Sequence, residues 1–340
     1  AFFLLFSLLY SITIKTSIMN RTFKMACMAT FTLLVVCLSS CKKDSQNNTT
    51  SGKKEFALNA FFKSVEPDKQ QFSISAGQYQ YVNGANGTNI LFLPNSFKKK
   101  DGSILSSGTV QVVLQEMLTG PKMILGNAPT VSNGKLLISG GQFLVKAYQN
   151  GEELLINPAS KPQVSLPALN TQPMLTFIGS RVASDSLAGD STIVWSPVDS
   201  ATTPVVVRQD SFGLSYNFHL DSFTYINCDY FYGSGQPLTD VQVVVPAQHV
   251  DSNTAVFMYF PTINSVARMY QYNSSTHTFN LGGSYAVPIG LAVKIVVVST
   301  IGTQNYYEII NVPAVTSGLS VTSTPAPATL SDIQNAINNL

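Results

Sequence analysis

The segment Gln142–Ile156, QFLVKAYQNGEELLI, decides the fold of this chain. Apolar side chains recur at every second position in the run Phe143–Ala147, which is the period of a strand with one buried face. Asn150 and Gly151 separate this run from a second one, Glu153–Ile156. Asn and Gly tolerate positive φ, so this pair predicts the turn of a β-hairpin.

The same two signals recur in the surrounding sequence. Val110, Val112 and Leu114 alternate with more polar neighbours, and Val113 is the one exception. Further turn signals of the Asn-Gly type are Asn83-Gly84, Asn86-Gly87 and Asn133-Gly134. No long stretch follows the period of a helix. Residues 56–225 are therefore predicted to form an all-β unit, a sandwich or a barrel.

Residues 226–315 are predicted to form a second unit, because short strand-like runs separated by Gly and Pro continue through them. The run Leu291–Val298 is apolar on both faces except at Lys294, which indicates a central strand. Residues 316–340 are predicted to be a linker and a short helix, with Ser331 as the cap and Asp332 in the first turn. The predicted fold class is all-β, with two consecutive Ig-like β-sandwiches.

The first 40 residues have the organisation of a leader. From Met19, the predicted start, basic residues come first, then the apolar run Met25–Leu38, then Ser39 and Ser40. This order is typical of a secretory signal peptide. Leu38-Ser39-Ser40-Cys41 resembles the lipobox of bacterial lipoproteins, which implies removal of residues 1–40 and lipidation of Cys41. The alternative is an anchor helix in residues 1–38, but three basic residues interrupt it.

Residues 41–55 are predicted to be a flexible tether, because they are polar and cannot build a core. The start Cys41–Asp44 is similar to that of lipoproteins of the Bacteroidetes. By that resemblance, Lys42 after the cysteine implies transport to the outer membrane. The predicted partner of the N-terminus is therefore a membrane, reached through the lipid on Cys41, and the surface and periplasmic faces both stay open.

The charge and the cysteine content of the mature chain exclude some classes of function and structure. Removing the leader takes away three of the 20 basic residues, so the remaining chain has a net charge of −1 against 18 acidic residues. A neutral protein has no electrostatic affinity for nucleic acid. Cys228 would be the only cysteine besides Cys41, which excludes an internal disulfide. We expect Cys228 to be a buried small apolar residue.

One segment carries a specific resemblance. Gly87–Phe97, GTNILFLPNSF, resembles a strand of the sandwich domain shared by ankyrins, netrin receptors and zonula-occludens proteins. Ile226–Phe231, INCDYF, and blocks between residues 123 and 154 are similar to outer-membrane lipoproteins of the Bacteroidetes. The resemblance implies a fold and an interaction role, not an activity. Some relatives cleave themselves at a His-Phe-Ser turn, which His219–Ser222 does not match.

Residues 178–207 are predicted to be loop-like, and Trp195, the only tryptophan, is predicted to fill a core at a sheet edge. Three Asp-Ser pairs in this segment resemble acceptors of O-glycosylation in the Bacteroidetes. The candidate acceptors are Ser186, Ser191 and Ser200. An ordinary Ser/Asp-rich loop is the alternative.

Tyrosines in alternation form a second group of candidates. Tyr79 and Tyr81 lie near the start of the first unit, and Tyr230 and Tyr232 follow the Asn-Cys-Asp sequence. Exposed tyrosines could stack on a sugar ring. Ordinary strand packing is the alternative.

No pattern in the sequence predicts catalysis. The three histidines are far apart in the sequence, and none has the spacing of paired metal ligands. No sequence motif places Cys228 next to His219. We predict no metal and no cofactor. The predicted role is non-enzymatic binding or scaffolding with a glycan or envelope-protein ligand. The alternative is a secreted hydrolase whose catalytic carboxylates are dispersed along the chain.

Overall fold

The computed structural model describes residues 53–211, 213–233, 235–283 and 285–340. The leader, Cys41 and the tether up to Gly52 lie outside the described residues. Within the described part, 51% of residues are strand and 9% are helix, so the prediction of a mostly β chain with a short C-terminal helix is confirmed. Lys53–Leu340 forms one compact unit.

The strands and helices follow in chain order. The strands are β1 (Lys54–Glu55), β2 (Lys69–Ser75), β3 (Gln80–Asn83), β4 (Asn89–Phe92), β5 (Phe97–Lys98), β6 (Ile104–Leu105), β7 (Thr109–Met117), β8 (Val131–Ser132), β9 (Lys135–Gln149), β10 (Glu152–Glu153), β11 (Leu155–Ile156), β12 (Gln163–Pro167), β13 (Leu175–Ala183), β14 (Leu187–Ala188), β15 (Ser191–Pro197), β16 (Val206–Asp210), β17 (Gly213–His219), β18 (Tyr225–Phe231), β19 (Leu238–Thr239), β20 (Val241–Val244), β21 (Thr254–Phe260), β22 (Ser265–Met269), β23 (Gln271–Asn273), β24 (Thr278–Asn280), β25 (Val287–Pro288), β26 (Val293–Ile301), β27 (Gln304–Val312), β28 (Leu319–Thr322) and β29 (Ala326–Ala328). The helices are α1 (Asn59–Val65), α2 (Gly120–Leu125) and α3 (Leu330–Asn338).

The hairpin predicted at Asn150-Gly151 lies in the largest sheet, an eight-stranded one. Its main path runs β15-β13-β18-β9-β7-β2, and β8 and β10 also pair with β9. Glu152 of β10 pairs with Gln149 of β9. Asn150 and Gly151 have φ of 52° and 82°, the positive values that a two-residue hairpin turn requires.

The first core lies between this sheet and a five-stranded sheet of order β16-β17-β12-β4-β3. Val110, Val112 and Leu114 of β7 are fully buried in it, whereas Gln111 is exposed, which confirms the predicted alternation. Phe92 and Phe97 from the segment with the family resemblance stack in the same core, with ring centroids 5.2 Å apart.

The third core lies between a four-stranded sheet, β23-β24-β20-β28, and a second five-stranded sheet, β22-β21-β26-β27-β29. β26 has β21 on one side and β27 on the other, so the predicted central strand is confirmed. Val297 faces the third core and Val298 faces the opposite way, which explains why its sequence is apolar on both faces.

The second core fills the space between the eight-stranded and the second five-stranded sheets. Three helices occupy it, with Phe62 of α1, Ile124 of α2 and Ile333 of α3 buried there. α1 and α2 were not predicted, because helices of seven and six residues are too short to show a period. The predicted cap of α3, Ser331, is wrong: the cap is Thr329, which forms a capping box with Asp332.

Strands lie at or across three of the predicted boundaries. The boundary after Tyr225 falls inside β18, which lies between β13 and β9, so the first unit's largest sheet continues to Phe231. Residues 316–329, predicted as linker, contain β28 and β29. β1, at the end of the predicted tether, pairs in parallel with β14. Among the described residues, no helix is both long and apolar enough to cross a membrane.

Candidate functional site

The best candidate for a ligand site is a cavity of about 480 Å³, which we call the seam pocket, between β15 and the strands β22 and β23. Its volume falls within the range of small-molecule and peptide side-chain sites. Its lining residues are Pro129, Val131, Ser132, Asn133, Thr192, Ile193, Val194, Trp195, Arg268, Tyr270, Gln271, Leu281, Gly282, Gly283 and Tyr285.

One wall of the seam pocket is β15, the edge strand of the eight-stranded sheet. Ile193 and Trp195 are buried, and the Trp195 indole N–H donates to the Pro129 carbonyl at 2.8 Å. A side chain at Gly179 of β13 would lie 2.6 Å from the Trp195 ring, so glycine is required for this close approach. The predicted role of Trp195, a core residue at a sheet edge, is confirmed.

The base of the seam pocket holds a buried ion pair. Arg268 of β22 donates to Asp190 through both terminal nitrogens, at 2.7 and 3.1 Å. Asn127 Oδ1 accepts a further bond from Arg268 at 3.0 Å. The guanidinium also lies 4.6 Å from the Tyr270 ring centroid and 5.1 Å from that of Phe56. The bidentate geometry and the ring contacts offset part of the cost of burying this charge, and Arg268 Nε has no hydrogen-bond partner among the described residues.

The seam pocket therefore presents an uncharged surface. The described residues that line it include no Asp, Glu, His, Cys or Lys, and Asp190 neutralises their one Arg. Val194 and Tyr270 at its wall are 50% and 41% exposed, so apolar surface is open to a ligand. Across the part of the chain that the structure describes, no group of three His, Cys, Asp or Glu side chains could hold a metal ion.

The structure separates the three candidate glycosylation sites. Ser186 and Ser200 are exposed, outside the long strands. Ser191 is half-buried at the start of β15, and its Oγ accepts a bond from Arg181 at 3.2 Å. The segment 178–207, predicted as loop-like, instead holds β13, β14 and β15, because an edge hairpin accepts polar residues on its open face.

The structure also separates the two tyrosine pairs. Tyr79 and Tyr81 are 69% and 65% exposed, and Tyr81 lies on β3, an edge strand of the first five-stranded sheet. Tyr230 packs against the first core and Tyr232 against the third. The latter two are therefore poorly placed to stack on a ligand. None of the four lines the seam pocket.

The sequence Asn227-Cys228-Asp229 forms a buried cluster in the middle of the eight-stranded sheet. Burial raises the pKa of the Cys228 thiol and raises that of Asp229 well above its ordinary value. Asn227 Nδ2 donates to Asp229 Oδ2 at 2.5 Å, but Asp229 Oδ1 has no partner. A side chain at Gly140 would lie 2.8 Å from the Cys228 carbonyl. The cluster is a packing element, in which burial disfavours the charged form of Asp229.

The histidines and Cys228 do not assemble a nucleophile. His219 is exposed on β17, whereas Cys228 is buried in β18. His249 Nδ1 lies 2.7 Å from Ser299 Oγ, a contact that sequence spacing could not reveal. Both residues are fully buried, so no substrate could reach them.

The seam pocket leaves no local pattern in the sequence. Asp190 and Arg268 are separated by 78 residues, and only the packing of two sheets brings them together. Two signals were available: an Arg within the run Ser265–Tyr272, and the single Trp five residues after Asp190. No protein-family model matches the chain, and no relative is found among curated proteins.

Proposed function

We propose that this chain is a lipid-anchored protein of the outer membrane, held through the lipid on Cys41, with a non-enzymatic binding role. The observation that carries the binding role is the seam pocket, an open, uncharged cavity lined by aromatic and apolar side chains. In this proposal the two halves are Ig-like sandwiches, which the resemblance to Bacteroidetes lipoproteins and to the ankyrin and netrin-receptor domain supports. The ligand is a glycan or an envelope protein.

The lining of the seam pocket favours binding over hydrolysis. A glycosidase needs two carboxyl groups that flank the scissile bond, and an acyl-transfer enzyme needs a nucleophile beside a base. The lining supplies neither, because its polar members are hydroxyl, amide and the paired Arg268. Such groups orient a neutral ligand without transforming it.

The membrane part of the proposal is tested by fractionation. Wild-type protein and the Cys41→Ala variant are expressed, and the membrane and soluble fractions are compared. We expect wild type in the outer-membrane fraction and the variant released from it, because one cysteine carries all the lipid. Protease treatment of intact cells then separates the surface face from the periplasmic face. Retention of Cys41→Ala in the membrane would refute the lipid anchor.

The binding part is tested by titration of the full-length protein. Trp195 is the only tryptophan and lines the seam pocket, so its fluorescence reports occupancy. The probes are neutral oligosaccharides and a library of blocked, uncharged peptides. We expect at least one probe class to shift the emission of wild type and not of Tyr270→Ala. Tyr79→Ala, which removes an exposed tyrosine just before β3 that does not line the seam pocket, is the control and should respond as wild type does.

A further inference from the structure

We infer that the seam pocket binds a neutral sugar ring, which stacks on Tyr285 and hydrogen-bonds to the side-chain amides of Asn133 and Gln271. This inference rests on the proposed binding role and names the class of the ligand. Four features of the pocket support it: closed strand edges, an exposed aromatic ring, two amides without partners, and the absence of net charge.

The strands β15 and β22 offer the seam pocket no free backbone edge. Ile193 and Arg268, which lie on these strands and line the pocket, are only 3% and 5% exposed. Side chains of Asn127, Ser132 and Thr130 already bond to neighbouring backbone groups of the two strands. An extended peptide therefore cannot add to either sheet here. A ligand in this cavity is held by side chains at its mouth.

Tyr285 supplies an aromatic surface at that mouth. It lines the cavity and is 40% exposed. A Cβ built at Gly134 would lie 3.6 Å from two carbons of the Tyr285 ring, so the ring lies against the turn between β8 and β9. The face of an aromatic ring carries partial negative charge. It attracts the weakly positive C–H groups that cover the face of a sugar ring.

Tyr270 forms a second aromatic wall, but it is the weaker stacking surface. The Arg268 guanidinium lies 4.6 Å from its ring centroid, and a cation over a ring draws the π-electrons towards itself. Burial raises the pKa of the Tyr270 hydroxyl, yet the residue is 41% exposed, so the ring rather than the hydroxyl reaches the cavity. Tyr285 has no such cation beside it among the described residues, which makes it the main platform.

Two side-chain amides lie near the segment that carries Tyr285. Asn133 precedes Gly134 in the turn, and Gln271 begins β23; both are exposed and line the cavity. Neither amide has a hydrogen-bond partner in the described part of the chain. A Cβ at Gly282 would lie 2.5 Å from Gln271 Cγ, so glycine allows this side chain to pass close to the loop. An amide both donates and accepts, which matches the hydroxyl groups on the rim of a sugar.

The absence of net charge selects neutral sugars over acidic ones. Asp190 binds both terminal nitrogens of Arg268, and no Lys or His is among the described lining residues. A carboxylate or sulfate on the ligand would lose its hydration without gaining a cation. We therefore expect uronic acid or sulfated oligosaccharides to bind at least about tenfold more weakly than their neutral counterparts.

Matched variants test the ring and the amide separately. Tyr285→Phe keeps the ring, and Tyr285→Ala removes it. Gln271→Ala removes an amide from β23, whereas Gln242→Ala removes an exposed one from β20 of the same sheet, outside the pocket. We expect Tyr285→Ala to weaken sugar binding at least about tenfold and Gln271→Ala about fivefold. Tyr285→Phe and Gln242→Ala should stay within about twofold of wild type.

The experiment is calorimetric titration of the full-length protein. The probes are neutral oligosaccharides of hexoses and N-acetylhexosamines, their uronic acid and sulfated counterparts, and blocked, uncharged peptides. A neutral sugar that binds is then resynthesised with one hydroxyl at a time replaced by hydrogen. We expect one deoxy sugar to bind wild type about fivefold more weakly than its parent does. Gln271→Ala should bind that pair equally, because both changes remove the same hydrogen bond.

Four results overturn the inference. If blocked peptides bind and no sugar does, the ligand class is wrong and the proposed binding role stands. If sugars bind Tyr285→Ala and Gln271→Ala as tightly as wild type, the sugar site lies elsewhere on the protein. If acidic sugars bind as tightly as neutral ones, the pocket does not select by charge. If no probe binds, the proposed binding role of the seam pocket fails as well.

Discussion

Two buried aspartates in and beside the eight-stranded sheet differ in what surrounds their carboxyl groups. Asp190 precedes β15 and forms a bidentate ion pair with Arg268. Asp229 lies in β18, one strand further in beyond β13, where one carboxyl oxygen has no partner and burial raises its pKa. The first carboxyl is stabilised by a charge from another sheet. The second has no cation beside it that the structure describes, and burial disfavours its charged form.

Only one of these two aspartates lies beside the candidate ligand site. Because Asp190 and Arg268 neutralise each other, the base of the seam pocket has no net charge. The same ion pair links the segment before β15 to β22 of the second five-stranded sheet. The Asn227–Asp229 cluster has a more distinctive sequence but is fully buried and lines no part of the seam pocket. The more conspicuous motif is therefore structural, and the plainer residues build the candidate site.

Breaking the ion pair should have the largest effect. Arg268→Met leaves Asp190 buried without its cation, and such a loss costs about 3–5 kcal/mol of unfolding free energy. The measurement is urea unfolding, followed by Trp195 fluorescence and circular dichroism. Replacing both partners, in Arg268→Met with Asp190→Leu, should restore most of the stability.

The control for this prediction is Arg181→Met. Arg181 is exposed on the same hairpin and has no ion pair among the described residues. It donates to the Gly126 carbonyl at 3.0 Å and also to the Asn127 carbonyl, Ser191 Oγ and Tyr225 Oη. We expect it to lose about 1 kcal/mol or less. An Arg268→Met variant as stable as Arg181→Met would show that the ion pair does not hold the two sheets together.

Replacing each aspartate by asparagine should change the free energy of unfolding in opposite directions. Asp229→Asn keeps the shape of the carboxyl and removes the charge that burial disfavours, so we expect the variant to gain about 1–3 kcal/mol of unfolding free energy near neutral pH. Asp190→Asn removes the partner of Arg268 and should lose stability. Both are measured by the same urea unfolding experiment.

The pH dependence sharpens this test. The pKa of Asp229 is raised in the folded state, so its contribution is fully present below the unfolded value of 3.8 and is lost as pH rises towards the folded value. The advantage of Asp229→Asn over wild type should therefore grow as pH rises. If the variant is instead less stable at neutral pH than at acid pH relative to wild type, the folded carboxyl is ionised.

Local patterns predicted the strands, whereas the site depends on contacts between distant residues. The Asn150-Gly151 hairpin, the alternation in β7 and the two-faced apolar run of β26 were predictable, because each depends on residues a few positions apart. The helices α1 and α2 were not, and neither was the pairing of Asp190 with Arg268. The alternation of Tyr230 and Tyr232 suggested exposure, but packing against two cores overrides it.

His249, a third buried titratable residue, should have the smallest effect on stability. Its contribution to the free energy of unfolding should rise with pH, whereas that of Asp229 falls. Burial lowers the pKa of His249 below 6.5, and its Nε2 has no partner. The stability that it contributes is therefore fully present above about pH 6.5 and is lost as pH falls towards the folded pKa. His249→Gln should flatten the stability profile in this range and change stability at neutral pH by about 1 kcal/mol.

His219→Gln, which changes an exposed histidine, is the control and should keep the wild-type profile. A wild-type profile in His249→Gln would mean that His249 is not the group whose burial makes the fold sensitive to mild acid.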